Sequence, residues 1–299
     1  MTNIAPSEDL LTPFMLEGGH VRGRVVFLSD CANTILSRYD YPPYVVRLVG
    51  ELLVVAAMLS ANLKQEGIFT IQIRGKGLVP LVVVDAVYGG ALRGYAEVSP
   101  EADAQLRALA EYSPQAIVGE GAYLAITLDP GAGMQRYQGI VGLEGDSIAA
   151  ALSNYFIHSE QIDAEVVLAV SEAAPWRAGG VLVERMPPAN AEQDEANQEA
   201  WRYAQAINGT VKAEELIDPL MDAQTLLYRL FHEEGVMVYA GKLLSVGCRC
   251  SRERIQKLLL SMDAADRSEM LVDGTASVHC QFCNKAERFS PTELGVSVS

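Results

Sequence analysis

At 299 residues the chain is long enough to bury a full core and to hold one large domain beside a smaller one. Its 49% hydrophobic and 20% charged residues exclude a disordered chain. The formal net charge of −15 argues against nucleic acid or an anionic membrane surface as the main partner, because phosphate binding needs a cationic face.

Met1 to Asp9 has neither a basic nor an apolar segment, which predicts no secretory leader. Residues 1–20 read as a short polar lead-in followed by Leu10-Leu11-Thr12-Pro13-Phe14, and Val21 to Leu28 has the β-branched and aromatic content of a strand. Tyr41-Pro42-Pro43 then starts a long helix running to about Asn62, with Leu48, Leu52, Val55 and Leu59 at helical spacing. Arg47 and Glu51 interrupt that apolar run and exclude a membrane span.

A β-rich block follows: Ile68 to Arg74, Leu81 to Val87 and Leu92 to Val98, separated by turns at Gly75-Lys76-Gly77 and Gly89-Gly90. Residues 101–119 read as helical or irregular. Tyr123 to Leu128 and Tyr137 to Leu143 are two more strands, Ile148 to Glu160 is a helix, and Ala164 to Ser171 and Gly180 to Arg185 close the block. Runs of strands with two strong helices predict an α+β fold, not alternating βα units.

After Met186-Pro187-Pro188 the composition turns acidic and helix-prone, with Glu192, Asp194, Glu195 and Glu199 and few large apolar groups. Leu226, Leu227, Leu230 and Phe231 lie on one side of a helical stretch over 212–234. The expected organisation is a core domain over 1–186, a helical linker over 187–240 and a small C-terminal domain over 241–299. Such a linker needs a neighbour to pack against, and detaches when that neighbour is lost.

The C-terminal segment carries the chemistry. Four of the five cysteines form two tight pairs, Cys248-x-Cys250 and Cys280-x-x-Cys283. Each pair places two sulfurs on one turn, and two such turns supply four thiolates to a tetrahedral Zn²⁺ with Zn–S of ~2.3 Å. Four thiolates close the shell, which reads as a structural and not a hydrolytic centre. Oxidation of each pair to a local disulfide would remove every ligand, so the same residues allow a metal-or-disulfide switch. The plainer alternatives are a chance cluster or ordinary disulfides. Reduced, metal-ligating cysteines predict a cytoplasmic protein.

Other candidates are weaker. Cys31, after Ser29-Asp30, has no base placed beside it and reads as a buried thiol. His232-Glu233-Glu234 lacks the second histidine of H-E-x-x-H, since position 236 is Val236. His279 abuts Cys280 but faces a shell already closed. Ser251-Arg252-Glu253-Arg254 reads as a capped helix start, and Arg249, Arg252 and Arg254 stand ready to offset the charge of a four-thiolate centre. No phosphate-binding glycine motif is present.

The pattern resembles the redox-regulated chaperonin family known as heat shock protein 33. The residues that carry it are Cys248-x-Cys250-Ser251-Arg252-Glu253-Arg254 with Cys280-Gln281-Phe282-Cys283-Asn284, and upstream Leu230-Phe231-His232-Glu233-Glu234. In the core they are Tyr155-Phe156-x-x-Ser159-Glu160-Gln161 and Tyr137-Gln138-Gly139. The resemblance implies a non-enzymatic, ATP-independent holdase for unfolding client proteins, inactive when reduced and zinc-bound. It further implies activation by Cys248–Cys250 and Cys280–Cys283 disulfides, zinc release, unfolding of the zinc domain and linker, and a homodimer in the active form. Two other classes fit the cysteines: a zinc-ribbon-like binding module, and a thiol–disulfide oxidoreductase using Cys280 and Cys283. Against the second, no crossover strand follows the C-x-x-C pair.

Overall fold

A computed structural model describes residues 9–296 apart from 62, 64–65, 132–133, 144, 189 and 191–193. Start-of-chain residues 1–8, Asn62 and Glu192 therefore lie outside the described residues. The chain divides into two compact units, with the break after Val246.

The first unit begins with β1 (Leu10–Leu16), β2 (Val21–Leu28), α1 (Asp30–Leu36) and α2 (Pro43–Ser60). Next come β3 (Ile68–Arg74), β4 (Leu81–Val87), β5 (Ala91–Glu97), α3 (Pro100–Arg107), α4 (Pro114–Val118), β6 (Tyr123–Asp129) and β7 (Tyr137–Gly142). It continues through α5 (Ile148–Tyr155), β8 (Ala164–Val170), β9 (Ala178–Arg185), α6 (Asp194–Asn208), α7 (Ala213–Ile217) and α8 (Ala223–Phe231), and ends with β10 (Val236–Val238), β11 (Lys242–Leu243) and β12 (Ser245–Val246).

Two sheets organise this unit, the first wholly antiparallel and the second antiparallel except where β12 joins β5 in parallel. One runs β10-β1-β2-β9-β8, with β11 also paired to β1; the other runs β12-β5-β4-β3-β6-β7. Between them lies α2, started by Pro42-Pro43 as expected and buried at every residue from Val45 to Ser60 except Arg47. It is long and apolar enough to cross a membrane, but 83% of it is buried inside the fold, as a core helix between two apolar faces must be.

The β2 strand is buried on both faces, which explains its unbroken apolar run from Val25 to Leu28. Val26 and Leu28 join α2 in the main core. Val25 and Phe27 point the other way, into a second core formed with Trp201 of α6 and Leu226, Leu227 and Phe231 of α8. Phe14 stacks on Phe231 with ring centroids 5.6 Å apart. At Gly179 an added Cβ would lie 2.2 Å from the carbonyl oxygen of Leu216, so α7 approaches β9 at a distance only glycine permits.

Several elements differ from expectation. Leu10 to Leu16 form a strand, β1, and Pro13 is tolerated because it falls between the residues paired with β11 and those paired with β10, where the ladder does not need its missing N–H. The helix expected over 148–160 is α-helical only to Tyr155 and continues as a π-turn, Phe156–Glu160, stopped by left-handed Gln161. The stretch over 212–234 is two helices, separated at Asp218-Pro219 because proline restricts the residue before it.

The second unit contains α9 (Arg252–Leu260), α10 (Ala264–Glu269), and a hairpin of β13 (Ala276–His279) and β14 (Ala286–Phe289). Among the described residues its fully buried core is Leu259, Ala276, Phe289 and Leu294, with partly buried Ile255, Met270 and Val278 packed against it.

Candidate metal centre

In the second unit, the irregular segment Gly247 to Ser251 carries one cysteine pair and the tip of the β13–β14 hairpin carries the other. Cys280 N–H bonds the Lys285 carbonyl at 3.0 Å, and Asn284 N–H returns to the Cys280 carbonyl at 2.7 Å. Asn284 takes the left-handed backbone (φ +56°) that closes this turn, a conformation asparagine tolerates better than most residues. Ser251 caps α9, its hydroxyl accepting the Arg254 N–H at 3.2 Å, as the sequence predicts.

The two segments bring all four expected cysteines together. Sγ of Cys248 lies 3.3 Å from that of Cys250 and 3.6 Å from that of Cys280, while Cys250 and Cys283 are 3.4 Å apart. All four sulfurs fall within 4.8 Å of one another. A ZnS₄ tetrahedron with ~2.3 Å bonds places sulfurs about 3.8 Å apart, so the donor set fits a tetrahedral thiophilic ion. His279 is exposed on β13 and outside the cluster.

Electrostatics favour loss of a first proton. Burial raises the Cys248 thiol, but the Cys250 backbone N–H and the thiols of Cys250, Cys280 and Cys283 outweigh it and hold the group at about 7. Cys250 is pushed up, by burial first and then by its sulfur neighbours. One thiolate shared among four sulfurs is the arrangement that a cation completes.

Arg252 does not serve the sulfurs in the way expected. Its guanidinium reaches Glu293 at 2.6 Å and Glu287 at 3.3 Å and lies 4.4 Å over the Phe289 ring, so it clamps α9 to the hairpin. Arg254 donates to the Arg249 carbonyl at 3.3 Å. The clamp's carboxylates carry no local sequence signal, since they lie far along the chain from Arg252. Asn284, directly after C-x-x-C, was the readable sign of the closing turn.

The remaining candidates fall away. Cys31 is buried in the first unit, its N–H held by the Asp9 carboxylate at 3.0 Å, and burial together with that carboxylate pushes its thiol up. His232 follows α8 with its ring 3.0 Å from the Tyr228 carbonyl, and Val236 stands in β10.

Two sheets enclosing a buried helix, with a C-terminal unit built around four clustered thiols able to hold a metal ion, define an α+β protein with a cysteine metal or redox centre. Comparison with known proteins narrows the class. The family described as Hsp33 protein matches residues 9–290. The 33 kDa chaperonin of Caulobacter vibrioides is 38% identical over 302 residues, covering 97% of this chain and 99% of the relative. That of Pseudomonas aeruginosa is 36% identical over 283 residues, covering 94% and 91%. The crystal structure of the Thermotoga maritima 33 kDa chaperonin has the same fold, with a TM-score of 0.80 at 22% identity over 96% of this chain and 97% of that one. The chain belongs to the Hsp33 family, a family of chaperones and not of enzymes.

Proposed function

We propose that this chaperone is a redox-regulated, ATP-independent holdase whose sensor is the four-sulfur cluster. In the reduced state Cys248, Cys250, Cys280 and Cys283 hold one Zn²⁺, which supplies a closed tetrathiolate and no open coordination position. An oxidant such as hypochlorite, or peroxide with heat, takes two electrons from each pair. Cys248 bonds to Cys250 and Cys280 to Cys283, so two peroxides accept the four electrons given up by the four thiolates; each takes two protons from solvent and leaves as two waters, and Zn²⁺, left without ligands, departs.

The functional segments are then the core over 1–186, which receives clients and forms the active homodimer, the linker over 187–240, and the switch domain over 241–299. A core of four buried side chains supports this reading, because so small a unit depends on its metal for stability. Release of the linker would uncover the apolar sheet face formed by Phe14, Val25, Phe27, Val181 and Val183. The cytoplasm, where thiols stay reduced until stress, is the compartment that suits such a sensor.

The observation that carries the reading is the approach of four sulfurs to within 4.8 Å of one another. The test is light scattering from a thermally unfolding client, with zinc release followed in parallel. Suppression by the oxidised, zinc-free form alone is the expected result. Equal behaviour of both forms would leave a structural zinc module, and turnover of a disulfide substrate without client protection would make the chain an oxidoreductase.

A further inference from the structure

A second site lies in the first unit, apart from the thiols. Past the C-terminal end of α2, between the two sheets, is a cavity of about 320 Å³. An apolar hole of about 150 Å³ already takes up benzene, so this one has room for a bicyclic ring. Its apolar wall includes Leu59, Phe69, Ile126, Leu128 and Phe156.

The polar groups around it are few and placed. Glu184, 1% exposed, joins Arg22 at 3.0 Å and Arg24 at 2.7 Å. Glu160 lines the cavity and is exposed at its mouth. Its Oε1 accepts the Tyr155 hydroxyl at 2.6 Å and the Tyr137 hydroxyl at 3.4 Å, and among the described residues no donor reaches its Oε2. Two arginines against two glutamates leave the site neutral. A ligand with net charge would bring an uncompensated charge into an apolar hole.

The backbone is shaped to present these groups. Glu160 ends the π-turn, a form common at functional sites, and left-handed Gln161 (φ +56°) follows it. An added Cβ at Gly139 would sit 2.6 Å from the Tyr155 ring, so glycine there lets the ring reach its place. The sequence stretches around Tyr137 and Tyr155, which the thiol switch leaves unused, thus converge on one cavity.

We propose that this cavity binds an uncharged apolar group about the size of an indole, carrying one N–H or O–H that donates to Glu160. The group is supplied either by a free small molecule or by a side chain of a polypeptide.

The test is calorimetric titration of the reduced full chain with indole, 1-methylindole and N-acetyltryptophanamide. Indole is expected to bind one to one, and 1-methylindole roughly tenfold more weakly, for want of one hydrogen bond to a charged acceptor. In Glu160→Leu the two should bind alike; in Leu128→Trp, which fills the cavity, neither should bind. Binding of N-acetyltryptophanamide as well as indole supports the proposal with a polypeptide as source, and binding of indole alone supports it with a small molecule. No saturable binding of indole or N-acetyltryptophanamide overturns it. So does equal binding of indole and 1-methylindole by the unaltered chain, a readout that does not depend on either variant folding.

Discussion

Glu51 is a carboxylate in the middle of the most apolar helix of the protein. It is 3% exposed, and it accepts Arg47 Nε at 2.9 Å and the Tyr112 hydroxyl at 2.7 Å. Burial raises its pKa, and those two partners only partly offset the rise. The folded chain therefore holds a proton at pH values where the unfolded chain has lost it. Stability from this group is full below the ordinary glutamate value and declines as pH rises through the raised one. Denaturant unfolding between pH 4 and 8 is expected to show that decline, and Glu51→Gln to flatten it. An unchanged pH slope in the variant would contradict the assignment. Asn208 poses the opposite problem: it is fully buried, and neither its Nδ2 nor its Oδ1 has a hydrogen-bond partner among the described residues. Replacing it by the near-isosteric leucine, Asn208→Leu, should stabilise the first unit by about 1–3 kcal/mol. A lowered denaturation midpoint would show that the amide is satisfied in solution.

At the scale of elements, α6 to α8 are held by an apolar face, by side-chain hydrogen bonds such as Gln205 to Glu165, and by one close backbone approach. Gly179→Ala places a methyl group where the Leu216 carbonyl lies, and such overpacking costs about 1–3 kcal/mol. Hydrogen exchange should accelerate in α7 and α8 while the β2–β9 ladder stays protected. If the proposed function holds, this variant also protects a client without oxidant. Uniform protection across α7 and α8 would refute the docking argument. The helices themselves were legible because Leu226, Leu227, Leu230 and Phe231 recur at helical spacing. Their partner was not, since β2 is apolar on both faces and alternation gives no sign of which side faces what. The short strands β10 to β12 were hidden for a different reason. Each of them is two or three residues long and pairs with β1 or β5 near the start of the chain, a choice made by tertiary packing and not by local propensity.

For the molecule as a whole, the two units have unequal means of staying folded. The first has two sheets and a fully buried helix; the second has a four-residue core, the Arg252 clamp and the sulfur cluster. Chelation under reducing conditions is expected to abolish slow amide exchange over 247–296 and to leave β2 and β9 protected. Persistent protection of β13 and β14 without metal would show that the clamp alone suffices. The cysteine spacing made the centre legible because each pair is local. The clamp was not, because it joins residues 35 and 41 positions apart.

The way the sulfurs alternate across the cluster has a consequence for chain entropy. Cys248 approaches Cys280 and Cys250 approaches Cys283, pairs 32 and 33 positions apart. An ion bound to all four closes a loop of that length, a restraint on the unfolded chain of about 4 kcal/mol in the loop-closure model. Under the proposed pairing, each disulfide closes a ring of only a few residues and joins nothing across the loop. Oxidation thus exchanges four metal–sulfur bonds for two sulfur–sulfur bonds that cross nothing, and the segment between the pairs gains freedom although each cysteine is still bonded.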